Sequence, residues 1–499
     1  MRKRQGAYMI ADSKRNEESI LQPGRNAWRI CVSDRLAFLV DGVEYFSALD
    51  ATLRMARSSI RIVGWDFDPE IRLRPQDGSE PLGELLRALV EERPELTVDI
   101  LVWSMGPLYS GHSLKLYTQH AWADHPRIRL RFDTRHALRG SHHQKLVTVD
   151  EQTAFVGGID LTAGRWDTAD HVVDNPLRVK PNGDPYGPVH DVQALLSGEA
   201  ARSVSDLVRK RWLAATGEEL PASPPEGDPL WPPDVEPAIR GCSIAVVRTT
   251  PNLRGLNERR EASRLTCRAI AAARRHVYIE TQYFASFQVG REIEARLRQP
   301  DGPEIVVIVT CESRGLLEQF VMAHNRNRLI RRLKRADRWD RLRVMFAVVP
   351  GGEAGGEKEV LVHSKVLVVD DAFVRVGSSN LNNRSEGLDT ECDLAVEAAS
   401  DEERSAIAAF RDRLLAEHLD VSAQSVSTAI RKTGSMVEAI ERLNVRPRGL
   451  RPFPIDPETG RVTPLPGTGL LDPVEPFSPL RAARHGMSYA LSRIGSLLF

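Results

Sequence analysis

The sequence is poor in cysteine, poor in lysine and without net charge. Five cysteines stand in 499 residues, at positions 31, 242, 267, 311 and 392. They are odd in number, far apart and never in a C-x-x-C pair, which excludes a disulfide framework and a zinc-finger spacing. They read as buried thiols in a reducing compartment. Lys+Arg and Asp+Glu are both 68. That balance disfavours a general nucleic-acid binder, which carries a basic excess. No run approaches the ~18 apolar residues of a membrane-spanning helix. The start, MRKRQGAYMIADSKRNEESI, is basic but has no apolar core, so it does not read as a signal peptide. The expected location is cytoplasmic, with peripheral attachment to the inner membrane face left open. Only ten residues are lysine, so the places where lysine occurs carry information.

What is present is the composition of a packed protein, with 41% hydrophobic and 27% charged residues. The chain is written twice. Short β-like runs at 59–66, 98–104 and 127–132 precede a hairpin-like pair at 145–149 and 153–156. The same order returns at 276–280, 304–309, 341–346, 365–369 and 373–376. Amphipathic stretches between them, such as 82–92 and 316–335, have helical periodicity. Strands alternating with helices predict an α/β fold of two repeated α/β/α halves with mixed sheets. Pro221–Pro237 holds seven prolines in seventeen residues and reads as a linker. The expected organisation is a flexible 1–25, a first half over 26–220, a linker over 221–238, a second half over 239–420, and a helical then Pro/Gly-rich tail over 421–499.

Each half holds H-x-K-x-x-x-x-D: His143, Lys145, Asp150 and His363, Lys365, Asp370. Chance gives about 0.02 such matches in a chain of this composition. Gly157 and Gly377 each follow their histidine by 14 residues, and Asp160 and Asn380 by 17. On a strand, residues i and i+2 share a face, so each His and Lys project together. The Asp is expected to open a turn and hold it through backbone hydrogen bonds. If the halves face each other, two His-x-Lys pairs meet in one cleft. The lysines can then hold a phosphate. One imidazole can attack phosphorus while the other protonates the leaving oxygen.

These signatures resemble the phospholipase D superfamily. So do GGID-x-x-x-GRWD at 157–167, GSSNLNNRS at 377–385 and YIETQYF at 278–284. The resemblance covers roughly residues 25–420. It implies one active site shared by two halves, and phosphodiester hydrolysis or transfer through a covalent phosphohistidine, with no metal or other cofactor in the chemistry. It implies His143 as nucleophile and His363 as general acid and then base, although sequence symmetry allows the reverse. Lys145, Lys365, Ser378 and Asn380 would contact the phosphoryl oxygens. Glu391 would orient His363. Asp167, Asp170 and Asp174 are candidates for the matching role in the first half. Asp160, a carboxylate, is expected to organise its loop or a choline-side pocket. The implied enzyme is a phospholipase D that releases phosphatidic acid and a headgroup from phosphatidylcholine-like lipids, with transphosphatidylation to other alcohols. A phosphatidyltransferase of the cardiolipin-synthase type is the alternative, and a superfamily nuclease a weaker one.

Other residues have plainer expectations. His142 alternates to the opposite face as a structural residue. His190-Asp191 reads as the start of a helix and resembles the family's His-Asp position, with Asp191 either a cap or in a substrate role. Trp65, Trp103 and Trp166 read as packing residues, with cation–π contact to a headgroup as the alternative. The basic run Arg326–Arg343 and the amphipathic Leu480–Phe499 are candidate contacts with a membrane surface. The headgroup preference and the oligomeric state are not legible.

Overall fold

The computed structural model describes residues 19–460, apart from 112, 119–120, 138, 223–229, 253–257 and 313–315, together with 462 and 473. The strands of the first half are β1 (Arg29–Val40), β2 (Ser59–Gly64), β3 (Thr97–Trp103), β4 (Ile128–Asp133), β5 (Leu146–Val149), β6 (Thr153–Gly157), β7 (Val189–His190) and β8 (Val192–Ser197). The second half adds β9 (Ile239–Thr250), β10 (Arg259–Arg260), β11 (His276–Thr281), β12 (Glu304–Val309), β13 (Leu342–Pro350), β14 (Glu357–Glu359), β15 (Leu361–Val362), β16 (Val366–Val369), β17 (Phe373–Gly377), β18 (Glu391–Glu397) and β19 (Gly449–Pro452).

In the first half the ladder runs β4-β3-β2-β5-β6-β8-β1, with the first three strands parallel and the rest antiparallel. The second half repeats it as β13-β12-β11-β16-β17-β18-β9. The two edges meet: β1 and β9 pair antiparallel, from Arg29 opposite Val246 to Leu36 opposite Ile239. Strands such as Ile305–Val309 are apolar without alternation because helices cover both faces of the sheet. The helix Leu82–Glu92 buries Leu82, Leu85, Leu86, Leu89 and Val90, one helical stripe. Two apolar cores, one per half, lie on the outer faces, and a third is built from both halves around β1, β9 and the helices Glu199–Thr216 and Asp401–Leu419. That shared core fixes one half against the other.

Several expectations change at the edges. The stretch expected to be flexible up to residue 25 is packed from residue 19: Ser19 Oγ donates to Glu397 Oε2 (2.6 Å), and the Ile20 and Leu21 amides donate to the same carboxylate (3.0 Å each). The helical segment after 421 is two helices, Ala423–Thr433 and Met436–Leu443, broken at left-handed Gly434 (φ 71°). β19 then pairs with β13, so this part joins the second half's layers. Leu480–Phe499 lies outside the described residues. No helix among the described residues is long and apolar enough to cross a membrane.

Candidate active site

Two short backbone clasps bring the signatures together. The His143 amide donates to the Thr390 carbonyl, and the Thr390 amide donates to the Ser141 carbonyl (3.0 Å each). On the other side, β15 pairs parallel with β7, and the His363 amide donates to the His190 carbonyl (2.8 Å). Each signature histidine is therefore positioned by backbone of the opposite half.

The side chains cross in the same way. His143 Nδ1 lies 2.9 Å from Glu391 Oε2, and His363 Nδ1 lies 2.7 Å from Asp191 Oδ2. An Nδ1–H donated to a carboxylate fixes the tautomer and leaves Nε2 as the reacting nitrogen. Glu391 thus serves His143, not His363, because its strand starts beside residues 141–143. Asp191 opens β8 and does not cap a helix. Asp191 was not among the expected site residues, yet it is the carboxylate that meets His363. The two carboxylates hold equivalent places in the two halves: Gly157 pairs with Gln193 and Gly377 with Asp393, so Asp191 and Glu391 each stand two residues before the partner of a signature glycine. Burial, with Lys145 and then Lys365 adding, pushes the His143 imidazole well below its usual range. Burial does the same to His363, with Lys365, Arg165, Lys145 and His143 adding. Burial also raises both carboxylates, Glu391 well above the usual range.

The lysines flank the histidines. Lys145 Nζ donates to the His143 carbonyl (3.0 Å) and pairs with Asp160 Oδ2 (3.1 Å). Lys365 Nζ lies 3.0 Å from His363 Nδ1 and also donates to the His363 carbonyl. Burial pushes the Lys365 ammonium down to about 7. Asp160 also accepts from the Trp65 amide (2.9 Å), so it organises its loop. Ser378, expected at the phosphate, donates its hydroxyl to Glu391 Oε2 (2.5 Å) and is fully buried. It holds the carboxylate instead. Asn380 is buried with its Oδ1 unpartnered.

The three candidate aspartates stand elsewhere. Asp167 accepts from His171 Nδ1 (2.9 Å), Arg178 Nη1 (2.8 Å) and the Val189 amide (2.9 Å), which folds the loop ahead of β7. Asp170 is exposed and accepts from Thr168 Oγ1 (2.5 Å), and exposed Asp174 accepts from the Glu353 amide (3.3 Å). None of them orients a signature histidine.

Asp150 and Asp370 stand at the far ends of β5 and β16, about 16 Å along the strand from their lysines. Each opens a three-residue hairpin connection whose first two residues are left-handed: Asp150 and Glu151 (φ 50° and 55°), Asp370 and Asp371 (φ 51° and 55°). Their carboxylates cap a different turn from the expected one. Asp150 accepts from the Arg57, Ser58 and Ser59 amides (2.8 Å each), and Asp370 from those of Arg274, Arg275 and His276 (2.5, 2.7 and 2.8 Å). The central parallel strand starts beside the hairpin, so the helix-to-strand turn is within reach.

Glycines permit close packing here. A Cβ on Gly158 would strike the Asp191 carboxylate, and one on Gly377 would strike Asp393. His142 is structural as expected, buried with Nδ1 2.8 Å from Asp133. A cavity of about 280 Å³ is lined by Trp65, Arg165, Tyr186, Tyr283, Arg326 and Leu361, among others. Trp103 and Trp166 are buried. The basic run is largely spent within the fold: Arg326 donates to the Thr310 carbonyl, Lys334 to Ile455, and Arg343 pairs with Asp340 and Glu441.

These features define an internally duplicated α/β protein with one two-histidine site built by both halves. Residues 52–224 match the family model for phospholipase D, and residues 266–413 match that for the phospholipase D-like domain of cardiolipin synthase. Phospholipase D A of Dictyostelium discoideum is 24% identical over 413 residues, covering 69% of this chain and 31% of that protein. Phospholipase D1 of Saccharomyces cerevisiae is 24% identical over 450 residues, covering 72% of this chain and 26% of that protein. The chain thus spans about a third or less of these relatives' lengths. The crystal structure of phosphatidylserine synthase from Haemophilus influenzae Rd KW20 shares the fold, with a TM-score of 0.53, 14% identity, and coverage of 87% of this chain and 99% of that one. The chain belongs to the phospholipase D superfamily.

Proposed function

We propose that this protein is a phospholipase D-type phosphodiesterase. The substrate is a glycerophospholipid of the phosphatidylcholine kind, and the products are phosphatidic acid and the free headgroup alcohol. The observation that carries the reading is the crossed pairing of His143 with Glu391 and His363 with Asp191, each beside a signature lysine.

Lys145 and Lys365 hold the non-bridging phosphoryl oxygens, and the Asn380 amide reaches the same group. His143 Nε2, neutral because of its burial, forms a bond to phosphorus. The bond from phosphorus to the headgroup oxygen breaks, and that oxygen takes a proton from His363 Nε2. The phosphate anion and Asp191 both favour the imidazolium that supplies it. Neutral His363 then takes a proton from water, whose oxygen displaces His143. Another alcohol in place of water gives transphosphatidylation. Nothing in this sequence of steps calls for a metal or other cofactor. The cavity beside Trp65 and Tyr283 is the proposed headgroup pocket, where aromatic faces suit a quaternary ammonium.

One observation favours a second reading. The second half matches the cardiolipin synthase domain, which points to phosphatidyl transfer between lipids. We place the enzyme at the inner membrane surface of the cytoplasm on the strength of its lipid substrate. The decisive experiment incubates the protein with phosphatidylcholine vesicles, phosphatidylglycerol vesicles or single-stranded DNA and follows choline release, cardiolipin formation and nucleotide release. Choline release lost in His143→Ala and His363→Ala supports the first reading. Cardiolipin alone supports the second, and cleavage of single-stranded DNA alone defeats both.

A further inference from the structure

Behind His363 lies a second cluster of ionisable groups that the chemistry above does not use. Asp41, the first residue of the helix Asp41–Met55 that follows β1, meets His171, His190 of β7, and Glu417 of the helix Asp401–Leu419. The first three belong to the first half and Glu417 to the second. His190 Nδ1 lies 2.7 Å from Glu417 Oε1 and 3.1 Å from Asp41 Oδ1. His171 Nε2 lies 3.1 Å from Glu417 Oε1 and 3.8 Å from Asp41 Oδ2. A tetrahedral ion with bonds of ~2.0–2.1 Å needs ligand separations of about 3.3–3.4 Å; one donor atom from each of the four residues lies within 4.8 Å of the others, and Asp41 turns Oδ1 toward His190 and Oδ2 toward His171.

Two further features point to a ligand. Asp41 is fully buried, yet its Oδ2 makes no hydrogen bond. Each imidazole also has its other nitrogen fixed by a carboxylate outside the group of four: His171 Nδ1 by Asp167 Oδ2 (2.9 Å) and His190 Nε2 by Glu280 Oε2 (3.1 Å). Metal-binding histidines characteristically have this outer carboxylate, which aims the free nitrogen.

We propose that Asp41, His171, His190 and Glu417 form a closed structural site for one divalent transition-metal ion of the zinc class. Two imidazoles and two carboxylates, without thiolate or water, suit a four-coordinate borderline ion. Exchange of two protons for the ion leaves the local charge unchanged. Four carboxylates (Asp41, Asp167, Glu280, Glu417) face the cluster against Arg178, which pairs with Asp167, while the Tyr278 hydroxyl, the Ser364 hydroxyl and His418 bond to Glu280. Without the ion, that excess draws protons onto His171 and His190. When the ion binds, two ring nitrogens lose protons to solvent and form bonds to the metal, so two positive charges leave and two arrive. The ion would lock the halves together next to the catalytic centre, because the His190 carbonyl holds the His363 amide and Asp41 exchanges hydrogen bonds with Asp191. It takes no part in the chemistry.

The test uses the untagged full chain, produced in zinc-replete cells and purified without chelator. Elemental analysis is expected to find about one zinc per chain. X-ray absorption is expected to find only nitrogen and oxygen at ~2.0–2.1 Å, with two imidazoles. Glu417→Gln and His171→Gln should each lower retained metal at least tenfold, whereas His125→Gln, outside the cluster, retains it. Zinc below about a tenth of an equivalent, with a melting temperature identical in zinc and in chelator, would overturn the proposal in favour of a purely ionic network. Retained metal with a sulfur shell, or metal unaffected by folded cluster variants, would also overturn it. If those variants fail to fold, the absorption spectrum of the unaltered protein decides.

Discussion

The two halves repeat one seven-strand order, yet they hold their histidines in unequal surroundings. The His143 side chain is 17% exposed, against 6% for His363. Lys145 is paired with Asp160, whereas the residue at the matching position beside Lys365 is the neutral Asn380. The His143 partner is the longer Glu391, steadied by Ser378, and the His363 partner is Asp191. Duplication supplied a symmetric frame, and a few substitutions made its two histidines chemically distinct. The more open His143 suits the proposed nucleophile, because phosphorus must approach its Nε2. The more enclosed His363, ringed by Lys365, Arg165 and Lys145, suits a group whose proton affinity rises when a phosphate anion arrives.

The largest expected effects break the comparison outright. His143→Ala and His363→Ala should each lower turnover by at least ~10³-fold, since each removes a covalent or proton-transfer partner. Release of choline from phosphatidylcholine vesicles measures it. If one variant keeps near-normal rates, the two halves do not share a site.

Next come the crossed carboxylates. Asp191→Asn and Glu391→Gln should each cost about 10²–10⁴-fold in kcat by leaving an imidazole in the wrong tautomer. Asp167→Asn should cost turnover far less, because Asp167 folds a loop and orients neither signature histidine. Equal kinetic losses in all three, in variants that fold, would reject the crossed assignment.

Stability separates the hairpin aspartates from the site. Asp370→Ala leaves three amides without an acceptor at the start of β11 and should destabilise by about 2–4 kcal/mol. Asp150→Ala should do the same in the first half. Denaturant unfolding measures both, and the surviving folded fraction should keep its turnover. A variant that is stable but inactive would return the Asp to the chemistry.

The smallest effect is on pH. Lys365 is held down to about 7, so it is charged, and can hold phosphate, below that value and loses its charge as pH rises through it. Bound phosphate raises the value again. kcat/KM, which reports the free enzyme, should therefore fall on the alkaline side near pH 7, while kcat falls at higher pH. Lys365→Arg should move the kcat/KM limb upward, because a guanidinium stays charged. A limb that does not move assigns it to another group.

Much of this was legible in the sequence. The repeated signatures located both histidines and both lysines, and the apolar runs located the central strands. The pairing of each histidine with a carboxylate of the opposite half was not legible, because it arises from how β7 lies against β15 and how residues 141–143 lie against Thr390. The sequence separations also mislead. Asp191 follows His143 by 48 residues, while Glu391 follows His363 by 28, because the loop that Asp167 folds is inserted only in the first half. The family resemblance implied Ser378 as a phosphate ligand, but its hydroxyl is buried and donates to Glu391. Strands β1 and β9, which join the halves, begin with mixed polar and apolar residues and gave no motif to follow.

The most direct test is to find the atom that carries the phosphatidyl group. The protein is mixed with a short-chain phosphatidylcholine, quenched in alkaline denaturant within one turnover, digested and examined by mass spectrometry. The predicted result is a phosphatidyl adduct on His143. An adduct on His363, or a burst of choline with no histidine adduct at all, would contradict the assignment of His143 as the nucleophile held by Glu391.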